Sequence, residues 1–388
     1  MSKILEYIAK ETNATAYYKS HRFCFDVEFN IPSLAYDDSQ PFTLKNDRYG
    51  ENAPEKKTKS LHELAKRLQK ENVSLFSYFL DGSRRIYKVD DMEYQKRIFP
   101  VVGGQIGVAC CHRKTPDNFG KAILERHFVL SMPSTATSGE PHPSQFLGRL
   151  TQNLNEIDSI KRRGLEFSEI MTYSGDKADG GAEEYMDRGT AKIQDKMIEC
   201  EKKVVEQLVR KNLLTQDNYL IKDGSLQYQK SGGDFKEMAK YKANYRRVIG
   251  VSKSFNPEFL KDKNNKSHAA TIANLPLYHR TPATIFQEGR VGNVSFSVWY
   301  VRIREAKFTD SPFAGIVKIE KVLVTQEEEE NGLDSGEVDL ITANVINERN
   351  PVCYGKDQRW ANHLYPIYLT ENYIKSKFLS DLHFINLF

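Results

Sequence analysis

No apolar run in this chain of 388 residues approaches the length that spans a bilayer, which argues against a transmembrane helix. The opening residues, Met1-Ser2-Lys3-Ile4-Leu5-Glu6-Tyr7-Ile8, lack a signal-peptide core and read as the start of an amphipathic helix, so a cytoplasmic location is expected. Cysteine is scarce. The five residues Cys24, Cys110, Cys111, Cys200 and Cys353 form no Cys-x-x-Cys pair, and their number is odd. That argues against a disulfide framework and against a zinc knuckle, and it leaves the adjacent Cys110 and Cys111 as two faces of one strand. A strong charge of one sign is missing too: the net value is +4, too small to announce a nucleic-acid binder by itself. Internal repeats are absent.

What is present is the balance of a globular protein, 39% hydrophobic and 28% charged, with length for one large domain or two ordinary ones. Charge is uneven. Basic pairs stand at 56–57, 84–85, 162–163, 202–203 and 246–247, opposed by an acidic block from Glu327 to Glu330. A solvated surface accounts for most of them. Arg84-Arg85 differs, because it follows Asp81-Gly82-Ser83 directly.

Hydrophobic periodicity predicts helix over 1–20, short strands and turns over 21–58, and a helix from Leu61 to Lys70. Strands are expected at Ser74–Asp81, Arg85–Val89, Gln105–His112 and His127–Met132, the first two joined by a turn at Gly82-Ser83. A loop from Ser134 to Pro143 precedes two helices, Ser144–Phe167 and Tyr185–Asn212. Strands return at Tyr219–Asp223, Arg247–Lys253, Ser295–Arg304 and Gly315–Val324, and helices at Ser335–Asn347 and Thr370–Leu382 close the chain. A strand meander followed by helix-crossed strands is the order of a ribonuclease H-like α/β fold: a mixed sheet flanked by helices, with additional N- and C-terminal elements. In that fold the first strand is central and pairs with the strand that follows the first helix, which would put Asp81 and Asp223 next to each other.

Two runs carry chemistry. Phe79-Leu80-Asp81-Gly82-Ser83 and Leu220-Ile221-Lys222-Asp223-Gly224-Ser225-Leu226 are β-prone stretches that end on Asp-Gly, and each delivers a carboxylate to a sheet rim. Side by side, Asp81 and Asp223 repel unless a cation sits between them. This points to a hard divalent metal and to metal-assisted phosphodiester cleavage. A third acid is expected from the preceding helix. Glu201 falls on the stripe formed by Ile193, Met197, Ile198, Val204, Val205 and Leu208, where a carboxylate is costly unless paired. The alternative is a glutamate that snorkels out at the helix boundary; Glu199 and Glu206 lie off the stripe. Lys253, at the end of the strand that begins at Val248, can contact a phosphate or hold a carboxylate, or it is a plain exposed lysine. Arg84, Arg85 and Lys253 are candidate phosphate contacts, whose binding would weaken with salt.

These motifs, in this order, resemble the NurA nucleases. Asp81-Gly82-Ser83, Met197-Ile198-Glu199-Cys200-Glu201, Lys222-Asp223-Gly224-Ser225-Leu226 and Val248-Ile249-Gly250-Val251-Ser252-Lys253 stand where that family's motifs stand. Ile316-Val317-Lys318-Ile319-Glu320 looks like its penultimate strand. Leu364-Tyr365-Pro366-Ile367-Tyr368-Leu369 looks like the segment that opens its last helix. The resemblance covers roughly residues 70–388. It implies a manganese- or magnesium-dependent DNA nuclease, a homodimer that works with a HerA-type hexameric translocase in DNA repair or antiviral defence. It makes Asp81, Glu201 and Asp223 metal ligands and Lys253 a catalytic lysine. The family's histidine (sometimes aspartate) in the last helix is missing. Glu371 takes its place by position, with Asn372 or His363 as alternatives. The missing histidine also keeps open a non-catalytic adaptor that retains the nuclease fold. By this reading residues 71–388 form the nuclease domain, with a helical insertion at about 144–212, and residues 1–70 form a cap or partner-docking segment.

Overall fold

A computed structural model describes residues 3–18, 23–24, 43–55, 57–177, 181–227, 235–257, 267–287, 294–309, 311–352 and 358–388. Short elements come first: α1 (Lys3–Glu11), β1 (Ala16–Tyr18), β2 (Phe23–Cys24), β3 (Thr43–Tyr49), β4 (Lys59–Ser60) and α2 (His62–Glu71). A meander of long strands follows, β5 (Phe76–Tyr94), β6 (Arg97–Thr115) and β7 (Asn118–Pro133). Next come α3 (Pro143–Asn155), α4 (Asp158–Lys161), β8 (Phe167–Tyr173), the long α5 (Gly181–Arg210), β9 (Tyr219–Asp223), α6 (Phe235–Tyr245) and β10 (Val248–Ser252). The chain continues through α7 (Ala269–Ala273), β11 (His279–Arg280), β12 (Thr284–Gln287), β13 (Ser295–Arg302) and β14 (Ile316–Val322). It closes with α8 (Gln326–Asn331), α9 (Ser335–Glu348), α10 (Tyr365–Lys375) and α11 (Asp381–Ile385).

The strands join one large mixed sheet in the order β3-β12-β13-β14-β10-β9-β5-β6-β7-β8. The meander is antiparallel, whereas β5–β9 and β9–β10 are parallel. A parallel pair needs a crossover connection, and α5 and α6 supply the two crossovers. Side chains alternate between the faces of a strand. Leu80, Ile86, Val108, Leu220 and Val298 therefore pack under α5 with Ile193, Met197, Val204 and Leu208. Phe79, Ile221, Val251, Trp299 and Ile319 pack on the other face against Ile341, Val345 and Ile367 of α9 and α10. Trp299 is fully buried there, and its indole N–H donates to the Thr342 hydroxyl at 2.8 Å. The far end of the sheet has its own apolar cluster, in which Phe99, Phe167, Phe384 and Phe388 join α1 and α3 to the C-terminus. Among the described residues no helix is long and apolar enough to cross a membrane.

The structure departs from the sequence reading in several places. Asp81-Gly82-Ser83 is not a hairpin turn. Gly82 pairs with Val108 and Ser83 with Gly107, so β5 runs straight through, and Asp81 stands inside a strand rather than at its end. The actual turn is Gln95-Lys96, both at positive φ (53° and 62°), where neither residue type signals a tight turn. The helix expected over Ser144–Phe167 breaks after Asn155, and Phe167–Tyr173 is strand β8, parallel to β7. Its buried Phe167, Ile170 and Tyr173 recur every three residues, which mimics a helical stripe. Helix α6 has no counterpart in the sequence reading. The first helix ends at Glu11, near Asn13 in the left-handed region (φ 53°), and β1 follows. The last helix starts five residues earlier than expected, with Pro366 in its first turn, where a missing N–H costs nothing. Within the described part of residues 1–70, β1 and β2 pair with β5, β3 with β12 and β4 with β11. Of the stretch 21–58 read as short strands and turns, residues 21–22, 25–42 and 56 lie outside the described residues.

Candidate metal centre

The last pair in the β5–β9 ladder is Leu80 with Lys222. Asp81 and Asp223 each follow by one residue, so both carboxylates emerge side by side on the face covered by α10. Asp81 is 5% exposed. No side-chain hydrogen bond to its carboxylate is found among the described residues. Burial pushes its pKa well above the ordinary carboxylate range, and the nearby charges of Asp223, Glu371 and Glu201 push the same way against the pull of Lys253.

Two lysines balance the other acids. Lys253, one residue beyond β10 and 5% exposed, places Nζ 2.9 Å from Asp223 Oδ2 and 3.5 Å from Glu371 Oε2. Its backbone carbonyl accepts from the Asn362 amide, which also donates to the Ile316 carbonyl, so the strand end is tied in place. Glu371 comes from the second turn of α10 and also pairs with Lys375 one turn on, at 3.1 Å. Burial opposes its ionisation, but Lys253 and Lys375 outweigh burial and hold its pKa down at about 2. His363, the alternative ligand in the sequence reading, is 1% exposed and adds to the positive field on Glu371. Asn372 is turned away: it is exposed, and its amide donates to the Tyr368 carbonyl of its own helix.

Glu201 arrives from the opposite face of the sheet. It lies on the buried stripe of α5 and is 4% exposed, whereas Glu199 is half exposed in ion pairs with Lys196 and Lys203. Glu201 lies directly over Gly82 within β5, because glycine leaves open the space its carboxylate fills; any Cβ at position 82 would collide with Oε1. Burial raises its pKa, and Lys222 draws it part of the way back. Lys222, buried at 5%, sits 3.2 Å from Glu201 Oε2 and donates to the Asp223 carbonyl at 2.6 Å. Burial lowers the pKa of Lys222, but Glu201 more than compensates. The sequence reading missed Lys222 as a site residue. Its signal was a lysine inside an otherwise apolar strand, which must find a partner when the strand is central.

The structure places Asp81, Asp223, Lys253 and Glu371 on one face of the sheet and Glu201 with Lys222 on the other, and among the described residues no three of these four acids bring their oxygens within 4.8 Å of one another. It does not bring Arg85 to them. That side chain donates to Asp381 at 3.1 Å and to the Leu379 carbonyl, and it stacks over Phe378. Arg84 is half-buried and, by alternation, on the α5 face. The four acids offer oxygen alone, a donor set that suits a hard divalent cation, and the buried, undonated Asp81 carboxylate fits such an ion. A second group, Glu125, His127 and Cys200, brings three potential ligand atoms within 4.8 Å of one another. The sequence reading gave it no role. The chain matches no protein-family model, and no curated protein matches it.

Proposed function

We propose that this chain is a divalent-metal-dependent deoxyribonuclease of the NurA kind, built on a ribonuclease H-like fold. One observation carries the reading: Asp81 and Asp223 stand side by side on adjacent parallel strands, Asp81 buried and Asp223 partly exposed, with Glu371 tied to Asp223 through Lys253 and with no donor on Asp81. The strand order β7-β6-β5-β9-β10, with an antiparallel meander and two strands parallel to its first, supports the fold assignment. Asp81, Asp223, Glu201 and Glu371 would hold Mn²⁺ or Mg²⁺. Such ions, when bound, activate water and stabilise the leaving oxygen of an in-line phosphodiester displacement. The chain's own residues do the rest. Gly82 lets Glu201 approach, and Lys222 orients Glu201. Lys253 fixes the Asp223 carboxylate and offers an ammonium to a bound phosphate. DNA is the substrate on this reading, a homodimer the working form, and a HerA-type hexameric translocase the partner that feeds DNA, in end processing or anti-phage defence in the cytoplasm.

A second reading is a non-catalytic adaptor of the same fold. It is favoured by the lysines, which already neutralise three of the four acids. One experiment separates the two. Purified protein is incubated with linear duplex DNA in Mn²⁺ or in EDTA, with and without the translocase. The nuclease reading expects cleavage in Mn²⁺ that EDTA stops. DNA or translocase binding with no cleavage under any of these conditions establishes the adaptor instead.

A further inference from the structure

We propose that Glu125, His127 and Cys200 form a second metal site, distinct from the acid centre and suited to a zinc-type ion. Glu125 and His127 are alternate residues of β7 on one face of the sheet, and Cys200 meets them from α5. Their ligand atoms all lie within 4.8 Å of one another. The three donors are a thiol sulfur, an imidazole nitrogen and a carboxylate oxygen. That mixture selects a borderline-soft cation over Mg²⁺ or Ca²⁺, which take oxygen. Three protein ligands leave a fourth tetrahedral position for water.

The second, independent observation is how the ligands are held. Ser168 engages His127 Nδ1 at 3.0 Å, which leaves Nε2 as the ligating atom. That Nε2 makes no hydrogen bond of normal length but faces Glu125 Oε2 at 3.7 Å, within ion-pair range. Gln207 donates to the other oxygen, Glu125 Oε1, at 2.8 Å, so Oε2 is the oxygen turned to the cluster. Cys200 is 1% exposed. Each of the two β7 ligands thus has its rear atom fixed by an outer partner and its front atom aimed at a common point. Outer partners of this kind orient metal-bound histidines and carboxylates. The site has a structural consequence. Cys200 immediately precedes Glu201, so an ion here pins the rotation of α5 on β7 and with it the approach of Glu201 over Gly82.

The test uses the full chain, freed of metal by chelation and then titrated with Co²⁺ as the probe. A thiolate-to-cobalt charge-transfer band is expected, saturating at one equivalent and displaced by Zn²⁺; the acid centre has no thiol and gives no such band. Cys200→Ser abolishes the band and Cys111→Ser keeps it. His127→Gln and Glu125→Gln, at positions about one quarter and one fifth exposed, weaken Co²⁺ binding by more than the roughly 10–100-fold expected for Ser168→Ala, with folding checked by circular dichroism. Absence of the band in the wild type overturns the proposal, as does a band that survives Cys200→Ser. If Cys200→Ser does not fold, unchanged affinity in both His127→Gln and Glu125→Gln overturns it equally.

Discussion

Two buried charge clusters in this molecule obey opposite rules. Around Arg280, every charge is matched. The guanidinium donates to both oxygens of Glu51 at 2.7 Å and through Nε to Asp339 at 2.7 Å; Lys59 pairs with Asp339, and the Ala283 N–H donates to Glu51. Glu51 is fully buried, and burial raises its pKa, yet Arg280 and the Ala283 N–H outweigh burial and bring it below the ordinary value. In the acid centre the balance fails. Asp81 is nearly as buried, has no donor among the described residues, and is driven well above its ordinary range. The first cluster is closed and holds α9 to the β11–β12 edge. The second is left short of positive charge, the condition in which a site takes up a cation.

The sharpest way to break the comparison is to delete an acid from each cluster. Asp81→Ala or Asp223→Ala should reduce Mn²⁺-dependent cleavage to the EDTA level while the fold persists, because removal of a like charge relieves repulsion in the metal-free protein. Wild-type rates in both variants would contradict the nuclease reading. Glu371→Gln should also cut cleavage sharply if Glu371 is a ligand. If it serves only to pair with Lys253 and Lys375, the variant keeps full activity and loses only some stability. Glu51→Ala should behave differently from all of these. It strands a buried guanidinium, at a cost of about 3–5 kcal/mol, read as a lower denaturant midpoint. An unchanged midpoint would show that the Arg280 cluster is not closed.

The clusters should also respond to pH with opposite signs. The folded pKa of Glu51 is depressed, so its contribution to stability is present above the ordinary carboxylate pKa and is lost as pH falls through the folded value. The folded pKa of Asp81 is raised, so the metal-free protein loses stability as pH rises from the ordinary carboxylate value to the folded one. Denaturation of metal-free protein at a series of pH values checks both. Asp81→Asn should gain on wild type as pH rises, and Glu51→Gln should lose ground over the acid range. The same slope in both variants would erase the distinction.

Much of the α/β order was legible because the core strands of the sheet, β9, β10, β13 and β14, are dense apolar runs bounded by turn signals. Glu201 was legible because an acid inside an apolar stripe is costly wherever the helix packs. What failed has physical causes. Asp-Gly signals a turn by its local freedom, but Gly82 is needed for close approach of Glu201 and not for a turn. The turn at Gln95-Lys96 is imposed by the pairing of Tyr94 with Arg97, which no local residue announces. Strand β8 is an edge strand whose burial follows the helices above it and so borrows their period. Lys222 had a signal that was passed over, a lysine inside an apolar strand, whereas the Glu125–His127–Cys200 group was invisible because it depends on contacts between segments distant in sequence.

The smallest expected effects come from the adjacent arginines, which the sequence treats alike and the structure separates. Arg85 is committed to Asp381 and the Leu379 carbonyl, in a partly exposed ion pair that anchors the segment after α10. Such pairs are worth about 0–1 kcal/mol, so Arg85→Ala should lower stability by no more than that and leave DNA affinity and its salt dependence unchanged. Arg84, by alternation along β5, lies on the opposite, α5 face of the sheet. If it meets a phosphate, Arg84→Ala should weaken DNA binding evenly across sequences and reduce the salt slope by about one, with little change in stability. Measuring binding at several salt concentrations for both variants decides this. Equal slopes for Arg84→Ala, Arg85→Ala and wild type would remove both arginines from the DNA path and leave Lys253 as the basic residue, among those named here, still placed to meet a phosphate at the acid centre.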